Sequence, residues 1–131
     1  MRVLVTWGSK LGGAEGIADL VVETLHEAGH EVVARDVRDA PAPGGFDAAI
    51  IGGTVYENRW IGSVRHYVER HARELRRIPT WLFSSGGLDA GNPREVTSLA
   101  VEIGAVGDVM FGGRLESERI RAWAAHIALE L

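Results

Sequence analysis

The sequence of 131 residues contains no cysteine. This absence excludes a disulfide-stapled scaffold, a zinc ribbon, a cysteine-ligated iron–sulfur cluster and a catalytic thiol. It also fits a reducing compartment, and we therefore expect a cytoplasmic protein. Long apolar runs are missing as well: none approaches the roughly 20 residues that a membrane-spanning helix needs, and the N-terminus lacks the pattern of a signal peptide. We therefore expect no membrane span.

The chain has no excess of basic residues either, because 18 acidic against 14 basic residues give a net charge of −4. Binding through nucleic-acid phosphates needs positive charge, so we expect no nucleic-acid partner. The five histidines show no metal-binding pattern such as H-E-x-x-H, and no G-x-S-x-G motif presents a nucleophilic serine. We expect neither a metal site nor serine-hydrolase chemistry. The length suits one domain over residues 1–131.

Short apolar runs alternate along the chain with segments of helical periodicity. The first helical stripe, for example, contains Ile17, Leu20, Val21 and Leu25. Uninterrupted apolar strands between helices favour a parallel sheet that is covered on both faces. The pattern predicts an α/β fold with five strands, over residues 3–8, 30–37, 48–53, 79–84 and 108–112, and four helices, over residues 17–28, 61–75, 94–103 and 117–129.

Three loops rich in glycine or hydroxyl groups follow predicted strands, at residues 7–14, 54–60 and 84–92. Parallel sheets bind ligands outside the carboxyl ends of their strands. The first loop has glycines next to a helix start, with Ser9 and Lys10 beside them, and suits a phosphate; the alternative is an ordinary tight turn. It matches neither a Walker A motif nor a dinucleotide fingerprint. A phosphoacceptor receiver domain is excluded because Gly52-Gly53-Thr54 stands where the acceptor aspartate is needed.

The other two loops offer groups that suit a flat ring. Tyr56 and Trp60 could sandwich a heteroaromatic ring, or Trp60 could instead anchor the following helix in the core. The loop that begins at Ser84 offers hydroxyls and backbone amides for the polar edge of a ring, or forms a solvated turn. Glu57 and Asp89 are the acidic residues of these two loops and would place negative charge near a ring bound there.

An arginine-rich segment lies in the second predicted helix. It most simply forms a solvated face, and the alternative is a docking patch for an acidic partner. Its basic residues are Arg65, Arg70, Arg73, Arg76 and Arg77, interleaved with Glu69 and Glu74.

Several stretches together carry a family resemblance that covers nearly the whole chain. They are Ser9-Lys10-x-Gly12-x-x-Glu15, Val55-Tyr56-x-x-Arg59-Trp60, Val68-Glu69-Arg70-His71, Trp81-Leu82-Phe83-Ser84-Ser85-Gly86 and Phe111-Gly112-Gly113-Arg114-Leu115. In these stretches the chain resembles the flavodoxin family, and especially the bacterial group that includes menaquinone-linked protoporphyrinogen oxidases. The resemblance implies a flavodoxin-like three-layer sandwich that binds FMN.

The resemblance also implies where FMN binds and what the protein does. The phosphate is expected in loop 8–14 and the isoalloxazine between loops 54–60 and 84–89. The implied function is a redox protein that carries electrons to a redox partner protein; the alternatives are a small FMN-dependent oxidoreductase and a binding module that has lost FMN. The implied cofactor-binding residues are Ser9, Lys10, Leu11, Gly12, Gly13, Ala14, Thr54, Val55, Tyr56, Asn58, Trp60, Ser84, Ser85, Gly86 and Gly87.

Three departures from the family pattern qualify what the resemblance implies. Leu11, Gly13 and Ala14 stand where the phosphate loop usually carries hydroxyl residues, and losing two hydrogen bonds to a charged group costs roughly 3–6 kcal/mol. Asn58 replaces a common glycine, and we expect it to keep a left-handed turn. The insertion that the oxidases carry before the last helix is absent, because residues 111–115 lead almost directly into Ser117.

Overall fold

The computed structural model describes residues 1–9, 12–86, 93–112 and 116–131. In these ranges the strands are β1 (Arg2–Gly8), β2 (Glu31–Asp36), β3 (Ala48–Tyr56), β4 (Arg59–Trp60), β5 (Thr80–Ser85) and β6 (Gly107–Phe111). The helices are α1 (Gly13–Glu27), α2 (Gly62–Arg70), α3 (Ala72–Leu75), α4 (Arg94–Ile103) and α5 (Ser117–Glu130). Two short 3-10 turns, Val37–Asp39 and Pro43–Gly45, connect β2 to β3.

Five of the strands form the predicted parallel sheet, in the order β2-β1-β3-β5-β6. The central strands are apolar because both of their faces are covered: Ala48, Ala49, Ile50 and Ile51 of β3 are all fully buried. The prediction of a five-stranded parallel sheet between helices is confirmed. The short strand β4 was not predicted. It pairs antiparallel with the end of β3, in a segment that the sequence analysis assigned to a loop.

The helices form two layers, one on each face of the sheet. Helices α1 and α5 cover one face, where Ile17, Val21 and Leu25 of the predicted stripe pack on β1, β3 and β5. Helices α2, α3 and α4 cover the other face, where Val64 and Val68 are fully buried. None of the helices in the described part of the chain has the length and apolar composition that crossing a bilayer requires.

The predicted helix over residues 61–75 is divided in the structure. Helix α2 ends at Arg70, and α3 begins at Ala72. His71 between them leaves helical geometry, with φ −106° and ψ 18°, while its Nδ1 lies 2.9 Å from Oε1 of Glu74 and its ring packs against Tyr67. The prediction of one continuous helix was wrong at this residue, because apolar periodicity records which side of a segment is buried and not whether the backbone stays helical at a single residue.

Candidate functional site

The carboxyl ends of β1, β3 and β5 bring together the three loops singled out in the sequence. The strand register pairs Gly8 with Gly53 and Gly53 with Ser84, and the next pair is Thr54 with Ser85. These residues therefore form one row across the edge of the sheet. Lys10, Leu11 and Gly87 of the predicted site, together with Asp89, lie outside the described residues.

The loop between β1 and α1 ends in a helix start without a side-chain cap. Gly12 is the N-cap residue and has a left-handed backbone, with φ 80°. A Cβ atom there would meet no heavy atom within 4 Å, so the conformation and not crowding accounts for the glycine. The first N–H groups of a helix lack intrahelical acceptors. The start of α1, at Gly13 and Ala14, can therefore offer backbone N–H groups to an anion.

Ser9 supplies an unusual polar group beside this helix start. Its Oγ is buried and has no hydrogen-bond partner among the residues that the structure describes, although a buried hydroxyl normally has one. A small cavity of about 130 Å³ is lined by Gly8, Ser9, Asp36, Arg38, Ile61 and Ser63. The unpartnered hydroxyl and the uncapped helix together suit a phosphate group.

Asp36 and Arg38, which the sequence analysis did not single out, form a fixed ion pair at this cavity. The Arg38 Nε donates to Oδ1 of Asp36 at 3.0 Å, and the backbone N–H of Arg38 donates to the same oxygen at 2.9 Å. The hydrogen bond from the Arg38 side chain keeps the pKa of Asp36 below its ordinary value of 3.8. They lie at the end of β2, and no periodicity or motif in the sequence marks that position.

Two of the residues that depart from the family pattern differ in their surroundings. The side chain of Ala14 is fully buried in the face of α1 that packs on the sheet, so Ala14 offers a ligand its backbone and not its side chain. Gly13 instead lies beside the hydroxyl of Ser85, because a Cβ on Gly13 would be 2.9 Å from Ser85 Oγ. Strand β5 therefore brings a hydroxyl to the start of α1.

The loop at residues 54–60 is a tight hairpin that joins β3 to β4. Tyr56 pairs with Arg59 across the turn, and the two turn residues, Glu57 and Asn58, have φ values of 50° and 64°. Left-handed backbone at both central residues is typical of a type I′ turn. The prediction that Asn58 keeps a left-handed turn is confirmed. After the hairpin, the N–H of Ile61 donates to the carbonyl of Thr54 at 3.0 Å. This hydrogen bond lies directly before α2, which begins at Gly62.

The two aromatic residues of this hairpin have opposite environments. Tyr56 is 57% exposed, whereas Trp60 is 2% exposed and belongs to the core on the α2 side. Trp60 packs directly over Gly53, where a Cβ would lie 2.8 Å from its Nε1. Trp60 thus takes the alternative role of a core anchor, and its ring presents no open face for the predicted sandwich. The adjacent glycines of β3 are a sequence signal for this close packing.

A second cavity, of about 320 Å³, adjoins the hairpin and includes residues that the sequence analysis did not place in the site. Arg59 and Arg65 line it together with Tyr56 and Glu57. Nη1 of Arg65 lies 4.0 Å from Oε2 of Glu95, and the Arg65 Nε is buried without a partner. The hairpin therefore presents an exposed aromatic ring among charges of both signs.

The end of β5 approaches the hairpin closely. A Cβ on Gly86 would lie 3.1 Å from Cβ of Val55, and the N–H of Gly86 donates to the carbonyl of Phe111 at 3.2 Å. The Oγ of Ser84 is buried, and no residue within the described ranges forms a hydrogen bond with it. Within the described ranges, acidic residues and histidines form no group of three that could hold a metal ion.

The fold is similar to that of several solved proteins. A flavodoxin from the domain Archaea has a TM-score of 0.84 at 12% identity, over 99% of this chain and 98% of the other. The two-electron reduced flavodoxin of Megasphaera elsdenii has a TM-score of 0.81 at 19% identity, over 98% and 99% of the two chains. Rubredoxin oxygen:oxidoreductase from Desulfovibrio gigas has a TM-score of 0.81 at 15% identity; 98% of this chain matches 35% of that protein. At these identities the likeness shows the fold.

The sequence itself provides the link to a family. A family model described as a flavodoxin domain matches residues 4–128, which is nearly all of the chain. This match agrees with the parallel sheet, the strand order and the position of the three loops. The chain belongs to the flavodoxin domain family.

Proposed function

We propose that the protein binds FMN at the carboxyl edge of its sheet and carries electrons to a redox partner protein. The observation that carries this proposal is the buried, unpartnered hydroxyl of Ser9 beside the uncapped start of α1. A phosphate there would accept hydrogen bonds from the Ser9 hydroxyl and from the N–H groups of Gly13 and Ala14. Membership of the flavodoxin domain family supports the same proposal.

The ring of FMN would lie between the hairpin and the end of β5. Tyr56 is the exposed aromatic residue of the hairpin and would stack on the ring. Thr54, Val55 and Asn58 would border the ring on the hairpin side, and Ser84, Ser85 and Gly86 on the β5 side. When bound, FMN supplies the electron-transfer chemistry. The protein would position FMN, cover one side of its ring and set the charge around the ring.

The open character of the hairpin supports a carrier rather than an enzyme. Tyr56, Glu57 and Arg59 are all exposed to solvent, so the edge of a ring stacked on Tyr56 would be within reach of a partner. No observation on the described residues favours an FMN-dependent oxidoreductase, such as a menaquinone-linked protoporphyrinogen oxidase, or a module that has lost FMN. A cytoplasmic location stays a prediction from the sequence.

Calorimetric titration with FMN and with riboflavin tests the cofactor assignment. We expect FMN to bind more tightly than riboflavin, because riboflavin lacks the phosphate, and we expect flavin fluorescence to be quenched on binding. Tyr56→Ala should weaken this quenching, while Trp123→Ala should not, because the ring of Trp123 packs against Phe83 and Phe111 under helix α5 and not at the hairpin. Absence of FMN binding would contradict the proposal, and equal affinity for riboflavin would contradict the role of the β1–α1 loop.

Reaction of the reduced protein with different acceptors tests the carrier assignment. A carrier should reduce one-electron acceptors irrespective of their shape, because the proposed site is open at the hairpin. Glu57→Gln should then change the reduction potential without abolishing transfer. Saturable, shape-selective turnover of menaquinone or protoporphyrinogen that is lost in Glu57→Gln would instead identify an enzyme.

A further inference from the structure

The two helical layers of this protein carry charges of opposite sign. The layer of α1 and α5, residues 13–27 and 116–131, has seven acidic and two basic residues, a net charge of −5. The layer of α2, α3 and α4, residues 62–77 and 94–103, has six basic and four acidic residues, a net charge of +2. A chain with a net charge of −4 thus presents one basic side.

The basic charge of this second layer is only partly neutralised by its own carboxylates. Arg65 lies 4.0 Å from Glu95, and Arg76 lies 3.8 Å from Glu102. Glu74 is held by His71 and by the backbone N–H of Gly44. The exposed side chains of Arg70, Arg73 and Arg77 form no ion pair with any residue that the structure describes.

These three unpaired arginines lie within eight residues of one another along the chain. Arg70 is the last residue of α2, Arg73 lies in α3, and Arg77 follows the end of α3. The N–H of Arg77 donates to the carbonyl of Glu74 at 3.1 Å, so the chain is still turning where Arg77 lies. We call Arg70, Arg73 and Arg77 the arginine row.

We propose that the arginine row is a docking surface for an acidic protein partner. A partner with carboxylates spaced along one helix or strand can pair with planar guanidinium groups in two-pronged hydrogen bonds. The opposite charges of the two helical layers would orient such a partner before contact, because its acidic surface is repelled by α1 and α5 and attracted by α2 and α3. This inference does not depend on FMN.

The overall charge of the chain favours a protein over a nucleic acid or an anionic membrane. Three arginines can displace counterions from about three phosphates, which gives weak binding at physiological salt. The acidic α1–α5 layer repels an extended polyanion or a charged bilayer, whereas a compact acidic partner can contact one side alone. A second copy of this chain could also offer its acidic layer to the arginine row, and the test includes that outcome.

Titration with a synthetic helical peptide tests the proposal. The probe carries glutamates three and four residues apart on one face, and its counterpart carries glutamines at the same positions. We expect the glutamate peptide alone to shift the NMR signals of Arg70, Arg73 and Arg77 and of their neighbours. The double substitution Arg70→Glu with Arg73→Glu should weaken binding by about tenfold, since attraction is replaced by repulsion at two exposed positions.

A matched control variant changes the net charge by the same amount, at two arginines outside the arginine row. Arg35→Glu with Arg121→Glu alters exposed arginines on β2 and α5 and should leave peptide affinity within about twofold of the parent. Circular dichroism checks that each variant is folded. If the double glutamate variant does not fold, Arg70→Gln with Arg73→Gln takes its place, because it removes the two positive charges without adding negative ones.

Three outcomes would overturn the proposal. Equal weakening in the control pair would show a general charge effect instead of a docking surface. Tighter binding of duplex DNA or of phosphatidylserine vesicles through the same arginines would assign another ligand class. Self-association at low salt that is lost in the Arg70 and Arg73 variant would make a second copy the occupant.

Discussion

The two ends of the candidate site are built in different ways. At the β1–α1 loop, Ser9, Gly12 and Gly13 lie close together in sequence, and the start of α1 offers backbone N–H groups. At the hairpin, Tyr56 and Trp60 are also close in sequence, yet one is exposed and the other is buried. A short segment can thus define an anion site through its backbone, whereas the role of a large side chain depends on what packs beneath it.

The β1–α1 loop has few hydroxyl residues of its own, and a neighbouring strand supplies one. The loop lacks hydroxyls at Gly13 and Ala14, but Ser85 of β5 brings one next to Gly13. Backbone donors are present whatever the side chains are. The proposed phosphate end is therefore less dependent on its own side chains than the hairpin is on Trp60.

The largest expected effect is on stability at the hairpin end. Trp60→Ala should lower the free energy of unfolding by about 3–5 kcal/mol, because it leaves a cavity next to Gly53 in the core. Tyr56→Ala serves as the control and should change stability by less than about 0.5 kcal/mol, since its ring is exposed. Urea denaturation measures both. Equal losses of stability in the two variants would contradict the distinction between Trp60 as a buried anchor and Tyr56 as an exposed ring.

A smaller effect is expected on FMN affinity at the phosphate end. Ser9→Ala should weaken FMN binding by about 1.5–3 kcal/mol, roughly 10- to 150-fold, because a hydrogen bond to a charged group is lost. Riboflavin affinity should not change. The variant should unfold at no lower urea concentration than the parent, because no described residue forms a hydrogen bond with the removed hydroxyl. Ser63→Ala, in the same cavity, is the control; a loss as large there would contradict the assignment.

Adding a hydroxyl to the β1–α1 loop should have a moderate effect that differs between two neighbouring positions. Gly13→Ser requires the Ser85 hydroxyl to rotate away, since the new Cβ would lie 2.9 Å from it, and should tighten FMN binding by up to about tenfold. Ala14→Thr should instead destabilise the fold by about 1–3 kcal/mol without tightening, because Ala14 is buried in the core. Calorimetry and thermal unfolding distinguish the two. Tighter FMN binding by Ala14→Thr would contradict the assignment of the Ala14 side chain to the core.

The smallest expected effect concerns the ion pair at the small cavity. The pKa of Asp36 is lower in the folded protein than its ordinary value of 3.8 because Arg38 donates hydrogen bonds to it. A lowered pKa contributes stability above the unfolded pKa, and this contribution is lost as the pH falls through the folded pKa. Arg38→Ala should therefore be slightly less stable than the parent at neutral pH and equally stable in strong acid. A difference that persists in acid would show that Arg38 acts through packing.

Much of the fold follows from local patterns. Apolar runs such as Ala48–Ile51 and the stripe from Ile17 to Leu25 alternate along the chain, and the structure places them in the sheet and in α1 as predicted. The helix break at His71 and the strand β4 were missed. Apolar periodicity does not report the backbone angles of a single residue such as His71, and a two-residue strand such as β4 is too short to show an alternating pattern.

The sequence by itself determined the alternation of strands and helices, the glycine-rich helix start and the left-handed turn at Asn58. Each of these follows from residues within a few positions of one another, through periodicity or backbone freedom. The tertiary structure alone decided that Trp60 is buried, that Ser85 lies beside Gly13, and that Asp36 and Arg38 line the small cavity with Ser9. These three facts depend on which strands are neighbours, because packing joins residues that the chain itself keeps far apart.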